Sequence, residues 1–230
     1  MKIHAADAAR LVSQIRANPA SVSPRGQGRT TLETEAWIAQ RIIQALVSTT
    51  LLEFPLELEP NDRPDLILQM PSGAVGIEIT EIVPPVYAQA VAIRNQYYKG
   101  AIVDRSLFGW GASFTPKQIH DHFSNQPQFL TGNGWSGDQI EQEWARATES
   151  AVVRKLERLN APGFNVLPRN WLAAYASSPG PALDHEHAAG LVSLQPPAAG
   201  PHCFEKVFVL SGERLVIFGG RTPRVELVPR

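Results

Sequence analysis

The sequence predicts an α/β protein. Two segments, 31–48 and 138–159, place apolar side chains at the three- and four-residue spacing of amphipathic helices. Short runs in which apolar residues recur as they do in β-strands lie between and after these helices, at 51–58, 65–70, 74–81 and 170–175. Helices and strands interspersed along one chain are typical of a sheet with helices packed on it.

The domain organisation is predicted from local composition. Apolar spacing over 3–17 indicates a helix, and the Ser, Pro and Gly residues at 21–28 indicate a mobile arm, so that 1–30 forms an N-terminal part. Residues 31–230 are expected to form a single domain with an inserted helical and loop region at about 83–137. The chain has 230 residues, of which 43% are hydrophobic, which is enough for a sizeable core.

The net charge and the N-terminal residues limit the possible classes of partner and the expected location of the protein. The formal net charge is -1, so any surface that binds a polyanion would have to be local. The sequence starts without a long apolar run, and we therefore expect no signal peptide, no membrane span and a cytoplasmic location.

The first core helix carries an acid close to its apolar stripe. Thr30 or Thr31 can cap this helix, and Glu35 in its first turns faces the core side. Glu35 is either an acid favoured by the helix N-terminus or part of a functional site. A strand at 51–58 follows, in which Pro55 indicates an edge position or a bulge.

The segment 65–81 is predicted to form a β-hairpin around a Pro-Ser-Gly turn at 71–73. Because strand side chains alternate between faces, Glu78 should point away from the face of its apolar neighbours. Asp65 opens the first strand and can lie near Glu78. Two adjacent carboxylates repel each other unless a cation sits between them, which makes them a candidate site for a hard divalent metal. The alternative is a surface hairpin whose two acids are solvated.

The helix at 138–159 carries a lysine on the edge of its apolar stripe. Asp138 can cap this helix, and Lys155 stands three residues after Val152 and four before Leu159. A lysine in this position either reaches outward to solvent or meets a buried acid. Arg154 and Arg158 are predicted to be phosphate contacts or solvated charges.

The remaining segments are less regular. Helices are predicted at 86–98 and 116–123 in the insertion, whose aromatic residues either fill a small core of their own or stack on bases. The stretch 177–201 is predicted to be a loop. A hairpin at 204–218 and a last strand at 224–228 extend the sheet.

Pro64-Asp65 followed by Glu78-Ile79-Thr80 resembles the PD-(D/E)XK nuclease superfamily, with Thr80 in place of the usual lysine. The resemblance covers residues 31–82 and 138–176. It implies a restriction-endonuclease-like αβββαβ core, in which a mixed central sheet is flanked by helices.

This resemblance also implies chemistry. Asp65, Glu78, the backbone carbonyl of Ile79 and Glu35 would bind Mg²⁺ or Mn²⁺. Lys155 would replace the strand lysine and orient the attacking water. The expected substrate is nucleic acid, and DNA in the first place, cleaved by hydrolysis of a phosphodiester bond. Nucleases of this kind often act as homodimers, which leaves a homodimer open here.

A second hypothesis has the same fold without catalysis. The missing strand lysine and the nearly neutral net charge fit a nucleic-acid-binding or protein-interaction module in a defence, toxin or mobile-element system.

Two histidine-containing segments are rival metal sites. His-Asp-His at 120–122 and Asp-His-Glu-His at 184–187 carry imidazoles and carboxylates, which suit zinc and other transition metals. Neither matches a His-Glu-x-x-His helix, so chance spacing is the commoner explanation. Cys203 has no catalytic histidine pattern near it in sequence and is predicted to be a buried thiol.

Overall fold

The computed structural model describes residues 2–125, 128–177, 180, 182–194, 201–220 and 222–228. Within these residues it is an α/β protein with six helices and one mixed eight-stranded sheet. The strands are β1 (Ile3–Ala5), β2 (Leu56–Pro60), β3 (Leu66–Met70), β4 (Gly73–Ile82), β5 (Arg169–Ala176), β6 (Lys206–Ser211), β7 (Arg214–Phe218) and β8 (Arg224–Leu227). The helices are α1 (Ala8–Ala17), α2 (Thr31–Leu46), α3 (Pro85–Tyr97), α4 (Pro116–Asn125), α5 (Gln139–Leu159) and α6 (His185–Leu191).

The strands lie side by side in the order in which they occur in the chain. Strand β4 is parallel to β5, and β5 is parallel to β6, whereas all other neighbouring strands are antiparallel. The long connection from β4 to β5 contains α5, as a parallel crossover requires. The predicted order of a helix, three strands, a helix and a strand is therefore present as α2, β2, β3, β4, α5 and β5.

Helices cover both faces of the sheet. Helices α1 and α2 pack on one face, where Val75, Ile77 and Ile79 of β4 join a core with Ile38 and Ile42 of α2. Helices α5 and α6 pack on the other face against residues of β5, β6 and β7. The predicted alternation along β4 is confirmed, and it directs Glu78 toward the side of α5.

Helix α2 begins where its sequence indicates. Thr30 is the N-cap, and its hydroxyl accepts a hydrogen bond from the amide of Glu33. The Glu33 carboxylate accepts one from the Thr30 amide in return, which completes a capping box. This cap sets the start of the helix and thereby the position of Glu35 one turn further on.

The insertion has a small core of its own. Helices α3 and α4 and the loop between them bury Ala90, Phe108, Ile119 and Phe123 together. The prediction that aromatic residues of this region fill a core is confirmed for Phe108 and Phe123.

Three predicted elements are wrong in part. Residues 3–5 are not helical but form β1, because they pair with β2 and become the first strand of the sheet. Strand β2 begins after Pro55 and has neighbours on both sides, so it is not an edge strand. The stretch predicted as a loop at 177–201 contains α6, which Asp184 caps by accepting hydrogen bonds from two backbone amides; Ser178, Pro179, Pro181 and 195–200 lie outside the described residues.

In the part of the chain that the structure describes, none of the helices is long and apolar enough to cross a membrane.

Candidate functional site

The hairpin register brings Asp65 and Glu78 to one point. Leu66 pairs with Ile77, and continuing this antiparallel register by one residue places Asp65 opposite Glu78 on the same face. Pro64 packs directly over Gly76, where a Cβ atom would come within 2.8 Å of the proline ring. The absence of a side chain at Gly76 thus lets the Pro64-Asp65 segment lie against β4.

Asp65 is fixed by backbone contacts. Its Oδ2 accepts a hydrogen bond of 2.7 Å from the backbone N–H of Ile79, just beyond the point where β3 pairs with β4. Asn61 closes the preceding turn, because its amide N–H donates to the Asp65 carbonyl and its side chain donates to the Pro64 carbonyl. The carboxylate is therefore held in place independently of any ligand.

Glu78 is a buried acid. Its side chain is 1% exposed, and its Oε1 has no hydrogen-bond partner among the described residues. Burial raises the pKa of the Glu78 carboxyl above its ordinary value, while the nearby positive charge of Lys155 acts in the opposite direction. A buried carboxylate oxygen without a donor is a binding position for a cation or a water molecule.

Lys155 reaches both acids from helix α5. Its Nζ lies 2.7 Å from Glu78 Oε2 and 3.3 Å from Asp65 Oδ2, and its side chain is 12% exposed. The neighbouring residues Val152, Leu156 and Leu159 are buried against the sheet, which turns Lys155 inward. The predicted meeting of this lysine with a buried acid is confirmed, and the alternative of a solvent-exposed lysine is wrong.

Glu35 lies near the cluster of Asp65, Glu78 and Lys155. It belongs to α2 and lines a pocket of about 370 Å³ together with Ile79, Thr80 and Lys155. Partial burial raises the pKa of the Glu35 carboxyl, and the negative charge of Asp65 raises it further. The two acids that Lys155 contacts are not among the described residues that line the pocket.

Replacing Glu35 by Gln should not destabilise the protein at neutral pH. The pKa of Glu35 is higher in the folded protein than its ordinary value of 4.5. At pH values just above 4.5 the folded state therefore binds more protons than the unfolded state. Stability therefore falls as the pH rises through that window, and Glu35→Gln removes this loss. Melting temperatures measured in chelator from acidic to neutral pH should show the variant equal to or above the wild type at neutral pH, with the difference vanishing in acid. Glu157→Gln, on an exposed position of α5, is the control. A clearly less stable Glu35→Gln variant at neutral pH would contradict the expectation.

Two arginines that the sequence did not indicate form the far wall of the pocket. Arg25 and Arg29 both pair with Glu81, the residue of β4 that follows Thr80. The segment predicted as a mobile arm also contacts α3, where the side chain of Asn95 donates to the Arg25 carbonyl. No local pattern marks these pairs, because the arginines lie more than fifty residues from Glu81 in sequence.

Acidic and basic side chains balance around the site. Among the described residues, the charged groups that line the pocket or pair with Asp65 and Glu78 are, with these two acids, four carboxylates and four cations: Glu35, Asp65, Glu78, Glu81, Arg25, Arg29, Lys155 and Arg158. The formal charges of these eight groups cancel, even though some of the acids are buried.

The donor set fits a magnesium ion better than a transition metal. Mg²⁺ takes oxygen ligands and is typically held by one or two carboxylates, with water and substrate completing its shell. Asp65 and Glu78 provide two carboxylates, and Glu78 has an oxygen to spare. In the described residues no three Asp, Glu, His or Cys side chains are grouped closely enough to hold a metal on their own, so Glu35 does not join the two acids in such a group.

The rival segments do not form sites. His120 contacts the Tyr98 hydroxyl, and His122 packs on the ring of Phe108. In the second segment His185 contacts Ser211 and Asp184 caps α6. The prediction that Cys203 is buried is wrong, since this thiol is exposed on the segment before β6.

Comparison of the chain with protein-family models, with curated proteins and with solved structures finds no match.

Proposed function

We propose that this protein is a metal-dependent nuclease that hydrolyses phosphodiester bonds in DNA on a restriction-endonuclease-like core. The observation that carries the proposal is the contact of the Lys155 ammonium with the carboxylates of Asp65 and Glu78. Two neighbouring strands and a crossover helix supply these groups to one buried point. The order of the core elements and the parallel pairing of β4 with β5 support the same proposal.

Asp65 and Glu78 would hold the Mg²⁺ or Mn²⁺ ion. The N–H of Ile79 points to Asp65, and the N–H and C=O of a strand residue lie on the same side of the strand. The carbonyl of Ile79 is therefore a suitable further ligand. Glu35, across the pocket, would contribute through a bound water. A bound ion of this kind lowers the pKa of water and neutralises charge that develops on a phosphate.

Lys155 would orient the attacking water and stabilise charge on the phosphate. Its ammonium has three donors, and the contacts with Asp65 and Glu78 use two of them. The third donor remains for a water molecule or a phosphate oxygen in the pocket that Lys155 lines. Thr80, at the position of the missing strand lysine, would take part only through its hydroxyl.

The charge balance explains why a metal would be required. A phosphodiester adds a negative charge to a site whose carboxylates and cations are already equal in number. One divalent cation would change the resulting net charge from negative to positive, which favours phosphate binding. Arg25 and Arg29, which pair with Glu81 in the pocket, would contact the substrate backbone.

Incubation of the pure protein with supercoiled and with single-stranded DNA tests this function. We expect nicks and strand breaks with Mg²⁺ or Mn²⁺ and none with chelator. Full cleavage in chelator would contradict the role of a metal, and absence of cleavage under all conditions would contradict the nuclease.

The second candidate function is binding of nucleic acid or protein without catalysis. It is favoured by the contacts of Lys155, whose ammonium already compensates both acids, neither of which lines the pocket. Under this hypothesis Mg²⁺ should not change the melting temperature, and DNA, if it binds, should remain intact with either metal.

A further inference from the structure

A second pocket lies on the outer side of α5, away from the acids. It measures about 550 Å³, and two tryptophans of the insertion, Trp110 and Trp135, line it over the N-terminal half of the helix. The helix contributes Gln142, Arg146 and Ser150, which are spaced four residues apart and therefore share one face. Both tryptophans are only partly buried, and Trp110 also packs against the core between α5 and the sheet.

Glu143 holds the aromatic walls in place. Its Oε2 accepts a hydrogen bond of 2.9 Å from the indole N–H of Trp135, and its Oε1 accepts one of 3.2 Å from the backbone N–H of Trp110. Arg105 forms an ion pair with the same Oε1. These contacts involve both oxygens of the carboxylate and hold Trp110 and Trp135 beside α5.

The groups that remain for a ligand are amides, a hydroxyl and a cation. Arg146 is exposed, and among the described residues its guanidinium donates a long hydrogen bond of 3.5 Å to the Gln142 side chain. Flat aromatic faces beside a guanidinium and an amide are the groups that bind unpaired bases and their phosphates.

We propose that this pocket is a nucleobase-binding subsite for single-stranded nucleic acid, an inference that rests on the nuclease function proposed above. A base would stack on Trp110 or Trp135, and Arg146 would contact a neighbouring phosphate. Arg146 and Lys155 are nine residues apart on α5, which is about 13 Å along the helix axis. Nine residues also amount to about two and a half turns, so the two side chains lie on opposite faces of α5, and a strand that reaches both has to pass around the helix.

Tryptophan fluorescence in chelator tests the subsite without any cleavage. The other tryptophans are poorly placed to respond: Trp144 and Trp171 are buried, and Trp37 packs edge-on against Tyr175. Oligothymidylate should quench the fluorescence, and Trp110→Ala or Trp135→Ala should weaken its affinity by about 5- to 150-fold. Trp135→Phe keeps an aromatic face and should retain most of the affinity if the variant melts like the wild type. Tyr97→Ala removes an exposed aromatic residue outside the pocket and is the matched control.

The possible results separate this inference from the nuclease itself. Quenching by oligothymidylate that is lost in the alanine variants supports the subsite, whether or not DNA is cleaved when Mg²⁺ is added. Cleavage of DNA without quenching, or equal affinity in Trp110→Ala, Trp135→Ala and the wild type, would overturn the subsite and leave the nuclease intact. Quenching by a soluble oligosaccharide and not by oligothymidylate would overturn it as well.

Discussion

Replacing Lys155 by Met should lower the free energy of unfolding by about 3–5 kcal/mol at neutral pH, the cost of removing one partner from a buried ion pair. The side chains of Glu78 and Asp65 are 1% and 7% exposed, so without the ammonium they would face each other with little water. Denaturant unfolding in chelator measures this loss as a lower midpoint. The difference should shrink in acid, because the pKa of the Glu78 carboxyl is already raised by burial and would rise further without Lys155.

Two further variants make this expectation specific. Arg154→Met removes a cation from the adjacent, exposed position of α5 and should change stability by no more than about 0.5 kcal/mol. Lys155→Met combined with Glu78→Gln should recover much of the loss, since the unpaired buried charge is gone. Equal midpoints for Lys155→Met and the wild type would show that the ammonium does not compensate the acids.

Added Mg²⁺ distinguishes a metal site from a purely structural ion pair. If the ion takes the place of the ammonium beside Asp65 and Glu78, it should stabilise Lys155→Met more than the wild type. The deciding result is the effect on the wild type, because a structural ion pair predicts no stabilisation by Mg²⁺ while Lys155 is present.

The parts of the fold that follow from local pattern could be predicted from the sequence. The alternation around the Pro-Ser-Gly turn correctly assigned Glu78 to the face opposite Ile77, because a strand has a strict two-residue period. The apolar stripe of α5 likewise placed Lys155 at its edge, because the buried neighbours occur every three to four residues, but it left open whether the lysine turns inward. Both features are properties of a single element.

The parts that failed depend on distant pairing or on very short elements. Residues 3–5 were assigned to the first helix because three residues carry too little periodicity to indicate a strand. The strand becomes evident only from the pairing of Ile3 with Leu58. Helix α6 is hidden in a segment rich in Pro, Gly and Ala, and its clearest signal is the capping residue Asp184. The pairs of Arg25 and Arg29 with Glu81 join segments that are remote in sequence and have no shared pattern.

Replacing Glu78 by Gln should reduce Mg²⁺-dependent cleavage of DNA by at least about 10²–10³-fold, the loss expected when one electrostatic contact to the reacting centre is removed. The amide is a weaker ligand for Mg²⁺, yet it has almost the shape of the carboxylate. Lys155 keeps Asp65 as a partner at 3.3 Å, so we expect the variant to fold. Initial rates of plasmid nicking, with melting temperatures measured in parallel, provide both quantities.

Glu157→Gln is the matched control for this loss, because Glu157 is an exposed carboxylate on α5 two residues after Lys155. It should retain the nicking rate and the stabilisation by Mg²⁺, while Glu78→Gln should lose both. If Glu78→Gln folds, nicks DNA at the wild-type rate and is stabilised by Mg²⁺ to the same extent, the buried acid is not a metal ligand. In that case the unpaired Oε1 of Glu78 is a structural feature of the core, and the cleavage must come from another part of the molecule.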